Sequence, residues 1–101
     1  MKGKSILLMI IVITALALDA SASDRFQIVV HYSDGSLASN ANVVVWDGDT
    51  RVDGGNTDNR GAYYAWLERS INYRITANGN GQYGEWRGYP GGSEIHIYLH
   101  Y

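Results

Sequence analysis

Phe26-Gln27-Ile28-Val29-Val30-His31-Tyr32, then the turn Ser33-Asp34-Gly35, then Ala41-Asn42-Val43-Val44-Val45-Trp46, decide the reading of the fold. Two short runs rich in β-branched and aromatic residues are separated by residues that favour turns, and neither run has a helical repeat. The same alternation continues to the end of the chain. Strands are predicted near 25–32, 41–46, 50–54, 61–67, 72–78, 82–87 and 94–101. The breaks between them carry Asp47-Gly48-Asp49, Asp58-Asn59-Arg60-Gly61, Asn78-Gly79-Asn80-Gly81 and Pro90-Gly91-Gly92. Glycine and asparagine tolerate the positive φ angles that tight turns demand. Seven strands over residues 23–101 predict an all-β fold, a small two-sheet sandwich in one domain.

Residues 1–22 have a different character. Lys2 and Lys4 precede an apolar run from Ile6 to Leu18, broken only by Thr14, and Ala20-Ser21-Ala22 follows it. That is the three-part pattern of a secretory signal peptide, with cleavage expected after Ala22. An uncleaved signal anchor and a pilin-type leader cut after Gly3 are the alternatives. The run is shorter than the roughly 20 apolar residues of a membrane span. The expected localisation is secreted, extracellular or at the cell surface, with membrane contact only through this segment during export.

The chain has 101 residues and no cysteine. Disulfides, thiolate-bound metals and thiol nucleophiles are therefore excluded. Setting aside Lys2, Lys4 and Asp19 leaves nine acidic residues and six basic ones, all arginine, a net charge of −3. Nothing in that balance attracts nucleic acid, whose phosphates need clustered Lys and Arg. All eight tyrosines, all three tryptophans and the single phenylalanine lie after residue 22.

Val30 to Val45 resembles the opening of carboxypeptidase-regulatory-like domains: a valine strand, an Asp-Gly turn, a short loop and Ala41-Asn42-Val43-Val44-Val45. Thr57-Asp58-Asn59-Arg60-Gly61-Ala62-Tyr63 is similar to that family's T-D-x-x-G-x-F/Y turn and strand. Tyr73-Arg74-Ile75-Thr76-Ala77 and Ile95-His96-Ile97-Tyr98-Leu99 resemble its later strands. Leu37 stands where the family usually has proline, and Ile71 where a glycine commonly precedes the tyrosine. The resemblance spans residues 26–100 and implies a transthyretin-like (prealbumin-like) sandwich that serves as an accessory, adhesive or structural module.

Strand alternation assigns faces without the resemblance. Phe26, Ile28, Val30, Val43, Val45, Tyr73, Ile75, Ala77, Ile95, Ile97 and Leu99 are expected inside. With Tyr63 and Ala65 also inside, the outer surface carries Val29, Trp46, Tyr64, Trp66 and Tyr98. Contiguous apolar surface marks a contact site, and Trp and Tyr dominate interface hot spots. The bland account is that these rings pair across strands and stiffen the sheet. Trp46, Trp66, Trp86, Tyr64 and Tyr83 would also suit stacking on sugar rings. The candidate contact residues are therefore Trp46, Tyr64, Trp66, Trp86 and Tyr98.

No catalytic set emerges. His96 and His100 are about 13 Å apart along a strand, too far for one metal ion. His31 would approach one of them if the first and last strands were neighbours. The Asp47–Asp53 and Asn56–Asp58 stretches have some oxygen ligands of calcium loops, but Arg51 and Arg60 stand where oxygens are required. The serines fall in turns with no neighbouring base. The hydrolase and iron-site residues known within this fold class are not matched: Ile28 stands where the hydroxyisourate hydrolases carry a histidine. A Lys–Asn isopeptide bond has no lysine after residue 22. The expectation is a non-catalytic surface protein without cofactor. Its partners would be copies of itself or other envelope or extracellular components, through aromatic outer faces or edge strands. The alternative is a small carbohydrate-binding module.

Overall fold

Seven strands form where the alternating runs stand: β1 (Asp24–His31), β2 (Asn42–Asp47), β3 (Thr50–Asn56), β4 (Ala62–Leu67), β5 (Tyr73–Gly79), β6 (Gln82–Gly88) and β7 (Glu94–Tyr98). The computed structural model describes residues 23–101, and the expected signal segment lies outside them. No helix occurs among the described residues. The strands make two sheets: a three-stranded one ordered β4-β1-β7 and a four-stranded one ordered β3-β2-β5-β6. β1 is antiparallel to β4 and parallel to β7, whereas every pairing in the four-stranded sheet is antiparallel.

Period-2 alternation puts the expected residues between the sheets. Phe26, Ile28 and Val30 of β1 meet Val43 and Val45 of β2 and Ile75 and Ala77 of β5 in one buried cluster, closed by Ala65, Leu67, Ile95, Ile97 and Leu99. Full burial of each Val, Ile, Leu or Phe side chain among them contributes about 1.5–3 kcal/mol.

Turn chemistry fixes the registers. β5 and β6 are joined by Asn80-Gly81, at φ 49° and 76°, the positive pair that a two-residue primed hairpin turn requires. At Gly84 a β-carbon would lie 2.7 Å from the Tyr98 carbonyl oxygen and 2.9 Å from Ile97 Cγ2. The bare backbone there lets β6 approach the end of β7, and next to it Tyr83 and His100 exchange backbone hydrogen bonds that join the two sheets.

The chain crosses from one sheet to the other between β3 and β4. Thr57, 5 % exposed, donates its hydroxyl to the Ala38 carbonyl and accepts the Ala41 N–H at 2.8 Å. The Asp58 carboxylate accepts the N–H groups of Arg60 (2.8 Å) and Ala62 (3.0 Å). Those bonds hold its carboxyl below the usual carboxylate range, Ala62 being the larger cause. The Thr-Asp-x-x-Gly stretch thus satisfies the backbone of a corner that lies outside the regular strand pairings.

Candidate contact face

The outer side of the three-stranded sheet presents three rows. β4 contributes Tyr64 and Trp66; β1 contributes Arg25, Gln27, Val29 and His31; β7 contributes Glu94, His96 and Tyr98. Register places Trp66 beside Arg25, Tyr64 beside Gln27, and Tyr98 beside His31. Trp66 is 66 % exposed, Tyr98 63 % and Tyr64 44 %. The Arg25 guanidinium lies 4.3 Å from the centroid of the Tyr64 ring, a cation–π contact.

At the far end of this face the two histidines on β1 and β7 meet. His31 Nε2 and His96 Nδ1 are 2.9 Å apart, and His96 Nε2 is 2.9 Å from Glu94 Oε1. The His31 ring stacks on Tyr98 at 4.6 Å between centroids. The result is a linear chain, Glu94–His96–His31, that orders one end of the sheet. Among the described residues no three His, Asp or Glu side chains converge as a metal site requires. The His31–His96 approach depends on the β1–β7 neighbourhood that the sequence reading posed as a condition. Glu94 was missed, although a carboxylate two residues from His96 on one strand necessarily shares its face.

The other face differs. Trp46 projects from the outer side of the four-stranded sheet, with the Arg74 guanidinium 5.0 Å from its centroid and its indole N–H buried without a partner. Beside it Glu85 pairs with Arg87 and lies 4.0 Å from Arg74. The Arg87 bond is the main cause that holds the Glu85 carboxyl below its ordinary range. An open dent of about 220 Å³ at this end is lined by Gly48, Asn72, Tyr73, Arg74 and Arg87, so both of its cations are shared with Glu85.

The expected outer set is therefore divided. Tyr64, Trp66 and Tyr98 share the face of the three-stranded sheet, and Trp46 lies on the opposite side of the sandwich. Trp86 is half-buried and packs against the core, because Gln82, Gly84, Trp86 and Gly88 form the inward row of β6. Val29, expected outside, is only 7 % exposed. It sits on the central strand, flanked by Ala62 and His96, and neighbours on both sides cover what an edge position would expose.

Two carboxylates of the Asp47–Asp53 and Asn56–Asp58 stretches, Asp53 and Asp58, are taken up by the chain itself. Asp53 accepts the Tyr63 hydroxyl at 2.6 Å and the Gly54 N–H at 2.7 Å, and Asp34 accepts both the N–H and the hydroxyl of Ser36. Burial is the first cause that raises the Tyr63 phenol above its ordinary value, and the Asp53 bond the second. In comparisons with known proteins, no family model, no curated protein and no solved structure matches the chain.

Proposed function

We propose that this chain is an exported, non-catalytic structural protein that associates with copies of itself, or adheres to other extracellular components, through the ring-bearing face of its three-stranded sheet. The observation that carries the reading is the exposure of Tyr64, Trp66 and Tyr98 on one face, while Trp46 on the opposite face lies beneath an arginine in an ion-paired setting. Large rings left open to water on a small domain lower its solubility unless they meet a partner. The proposal also takes up the resemblance to carboxypeptidase-regulatory-like domains, whose sandwiches serve mostly as accessory or adhesive modules.

The test is sedimentation velocity and negative-stain microscopy of the exported protein beside two variants. Trp66→Ala is expected to stay folded and lose its oligomer or its surface-bound fraction. An interface ring truncated to alanine costs roughly 2 kcal/mol or more of association. Ile97→Ala, a core truncation, is expected to lose about 2–5 kcal/mol of folding stability instead. A wild-type protein that stays monomeric at every concentration and binds no envelope material would end the proposal. The carbohydrate-binding alternative calls for sugar stacking on Trp46, Trp66, Trp86, Tyr64 and Tyr83, of which Trp66, Tyr64 and Tyr83 are exposed. The partial burial of Trp46 and Trp86 leaves it fewer rings than the sequence offered.

A further inference from the structure

The hydrogen-bonding parity of β1 determines which backbone groups of β4 remain free. Val30 donates to the Gly61 carbonyl and accepts from Ala38, both on the β4 side, whereas Gln27 donates to Ser93 and His31 accepts from Leu99 on the β7 side. Even-numbered residues of β1 therefore bond toward β4 and odd-numbered ones toward β7. By the opposed registers Ile28↔Tyr63, Phe26↔Ala65 and Asp24↔Leu67, it is Tyr63, Ala65 and Leu67 that point their N–H and C=O groups at β1. Ala62, Tyr64 and Trp66 point theirs away, at the edge of the sheet.

Two positions bracket that edge and are already satisfied. Ala62 gives its N–H to the Asp58 carboxylate (3.0 Å) and its carbonyl accepts the Asp58 N–H (2.9 Å). The N–H of Glu68 goes to the Tyr73 hydroxyl at 3.0 Å. Between them Tyr64 and Trp66 have no backbone partner among the described residues. The strand that carries them, Ala-Tyr-Tyr-Ala-Trp-Leu, holds no charge, proline or glycine. The other outer strands each carry charge: β3 has Arg51, Asp53 and two glycines, β6 has Glu85 and Arg87, and β7 opens on Glu94. Charge, proline and bulges are what keep sheet edges from pairing, and β4 alone lacks them.

We infer that the β4 edge pairs antiparallel with β4 of a second copy of this chain, Tyr64 of one copy opposite Trp66 of the other about a two-fold axis beside Ala65. The inference rests on the self-association reading above and moves the contact from the open face to its β4 edge. The register is selected by the bracketing. With Tyr64 opposite Trp66, both free residues of both copies are used, and each of the two pairs exchanges two hydrogen bonds. Moving the axis to Tyr64 sets Trp66 against the already bonded Ala62, and moving it to Trp66 sets Tyr64 against Glu68. The chosen register stacks a tyrosine against a tryptophan twice, a favourable cross-strand pair. It also brings Glu68 of each copy diagonally toward Arg60 of the other, and among the described residues neither has an ion-pair partner within the chain. The outcome is a six-stranded sheet, continuous across the two copies.

The experiment is residue-resolved amide hydrogen exchange on the exported protein, dilute and concentrated, with association followed by sedimentation for Trp66→Lys and Tyr98→Lys. Association is expected to slow exchange at Tyr64 and Trp66 by about tenfold or more and to leave Ala62 and Tyr63, already bonded, unchanged. Trp66→Lys is expected to weaken association by about tenfold or more, since it breaks both ring pairs. Tyr98→Lys, two strands away, is expected to change it by less than about twofold. Association in which the Tyr64 and Trp66 amides exchange as in the monomer, or which Tyr98→Lys weakens equally, would overturn the edge pairing and leave association through the sheet face standing. Protection that arises only when envelope material is added would assign the edge to a foreign strand and overturn the second copy as its partner. Absence of any association removes both readings together.

Discussion

Replacing Thr57 by valine keeps the shape of the side chain and removes one atom that the crossing between the sheets depends on. The hydroxyl lies between two backbone groups of residues with no exposed surface, the carbonyl of Ala38 and the N–H of Ala41. Valine leaves both without that partner. An unsatisfied buried backbone group costs about 1–3 kcal/mol, so the pair together is expected to cost about 2–6 kcal/mol. Thr57→Ser keeps the hydroxyl and loses only a methyl group, about 1 kcal/mol. A domain of this size has a total stability of roughly 4–12 kcal/mol, so the valine variant is expected to be marginally folded and the serine variant secure. Urea unfolding followed by tryptophan fluorescence measures the difference, provided the slope with denaturant is the same for all three proteins. If Thr57→Val loses no more than Thr57→Ser, the hydroxyl does not seal the crossing, and the Thr-Asp-x-x-Gly stretch owes its form to Asp58 and Gly61 alone.

Gly84→Ala is expected to cost about 1–3 kcal/mol by overpacking, because the added carbon meets the Tyr98 backbone as well as the buried Ile97 side chain; an unchanged unfolding midpoint would show that the β6–β7 seam is slack. Asp58 has a depressed pKa in the folded state, so its contribution is present above the unfolded value, near pH 4, and fades as the pH falls through the folded value. Asp58→Asn is therefore expected to lower stability at neutral pH and to flatten the acid limb of a midpoint-against-pH curve. The Tyr63 phenol is shifted the other way. It supports the fold below about pH 10 and loses that contribution as the pH rises further, so Tyr63→Phe is expected to remove part of the alkaline loss of stability, read from the same curve.

The core was legible because the runs that build it obey a period of two, whereas β3, whose burial does not alternate, was marked only by the turns around it. Phe26, Ile28 and Val30, or Ile95 and Ile97 before Leu99, announce one buried row apiece whatever the strand pairs with. The Asn78-Gly79-Asn80-Gly81 stretch announced a turn for a reason just as local, since few other residues accept two successive positive φ angles, but which of its two Asn-Gly pairs makes the hairpin follows from the β5–β6 register. What alternation cannot convey is which of two sheets a strand joins. Trp46 and Trp66 both point outward, yet they point to opposite sides of the sandwich, because β2 lies in one sheet and β4 in the other. Nor does it convey a strand's rank within its sheet. Val29 and Tyr64 occupy outward positions alike, but Val29 is central and covered while Tyr64 is at an edge and open. The guanidinium groups over Tyr64 and Trp46 and the His31–His96 contact follow from strand neighbours, some of them far apart in sequence.

That dependence on neighbours is what separates the two faces chemically. Trp46 lies next to Arg74 in register, and Arg74 lies near Glu85 and Arg87, so the four-stranded face sets charges around a half-buried indole and leaves one open ring, Tyr83, on β6. On the three-stranded face Trp66 is at an edge, with Arg25 on one side and no strand on the other. Arg25 is drawn to Tyr64 instead, and Trp66 keeps the largest exposure of the three tryptophans. A cross-strand neighbour covers a ring in one sheet, and the lack of one uncovers a ring in the other. The position with the most exposed tryptophan is also one of the two whose backbone donors and acceptors are unpaired. A docking strand at β4 would meet both needs at once: it would supply hydrogen-bond partners to Tyr64 and Trp66 and an apolar neighbour to their rings. No substitution confined to Tyr98 would reproduce that coincidence, which is why the comparison of Trp66→Lys with Tyr98→Lys tests the edge and not merely the hydrophobicity of the face.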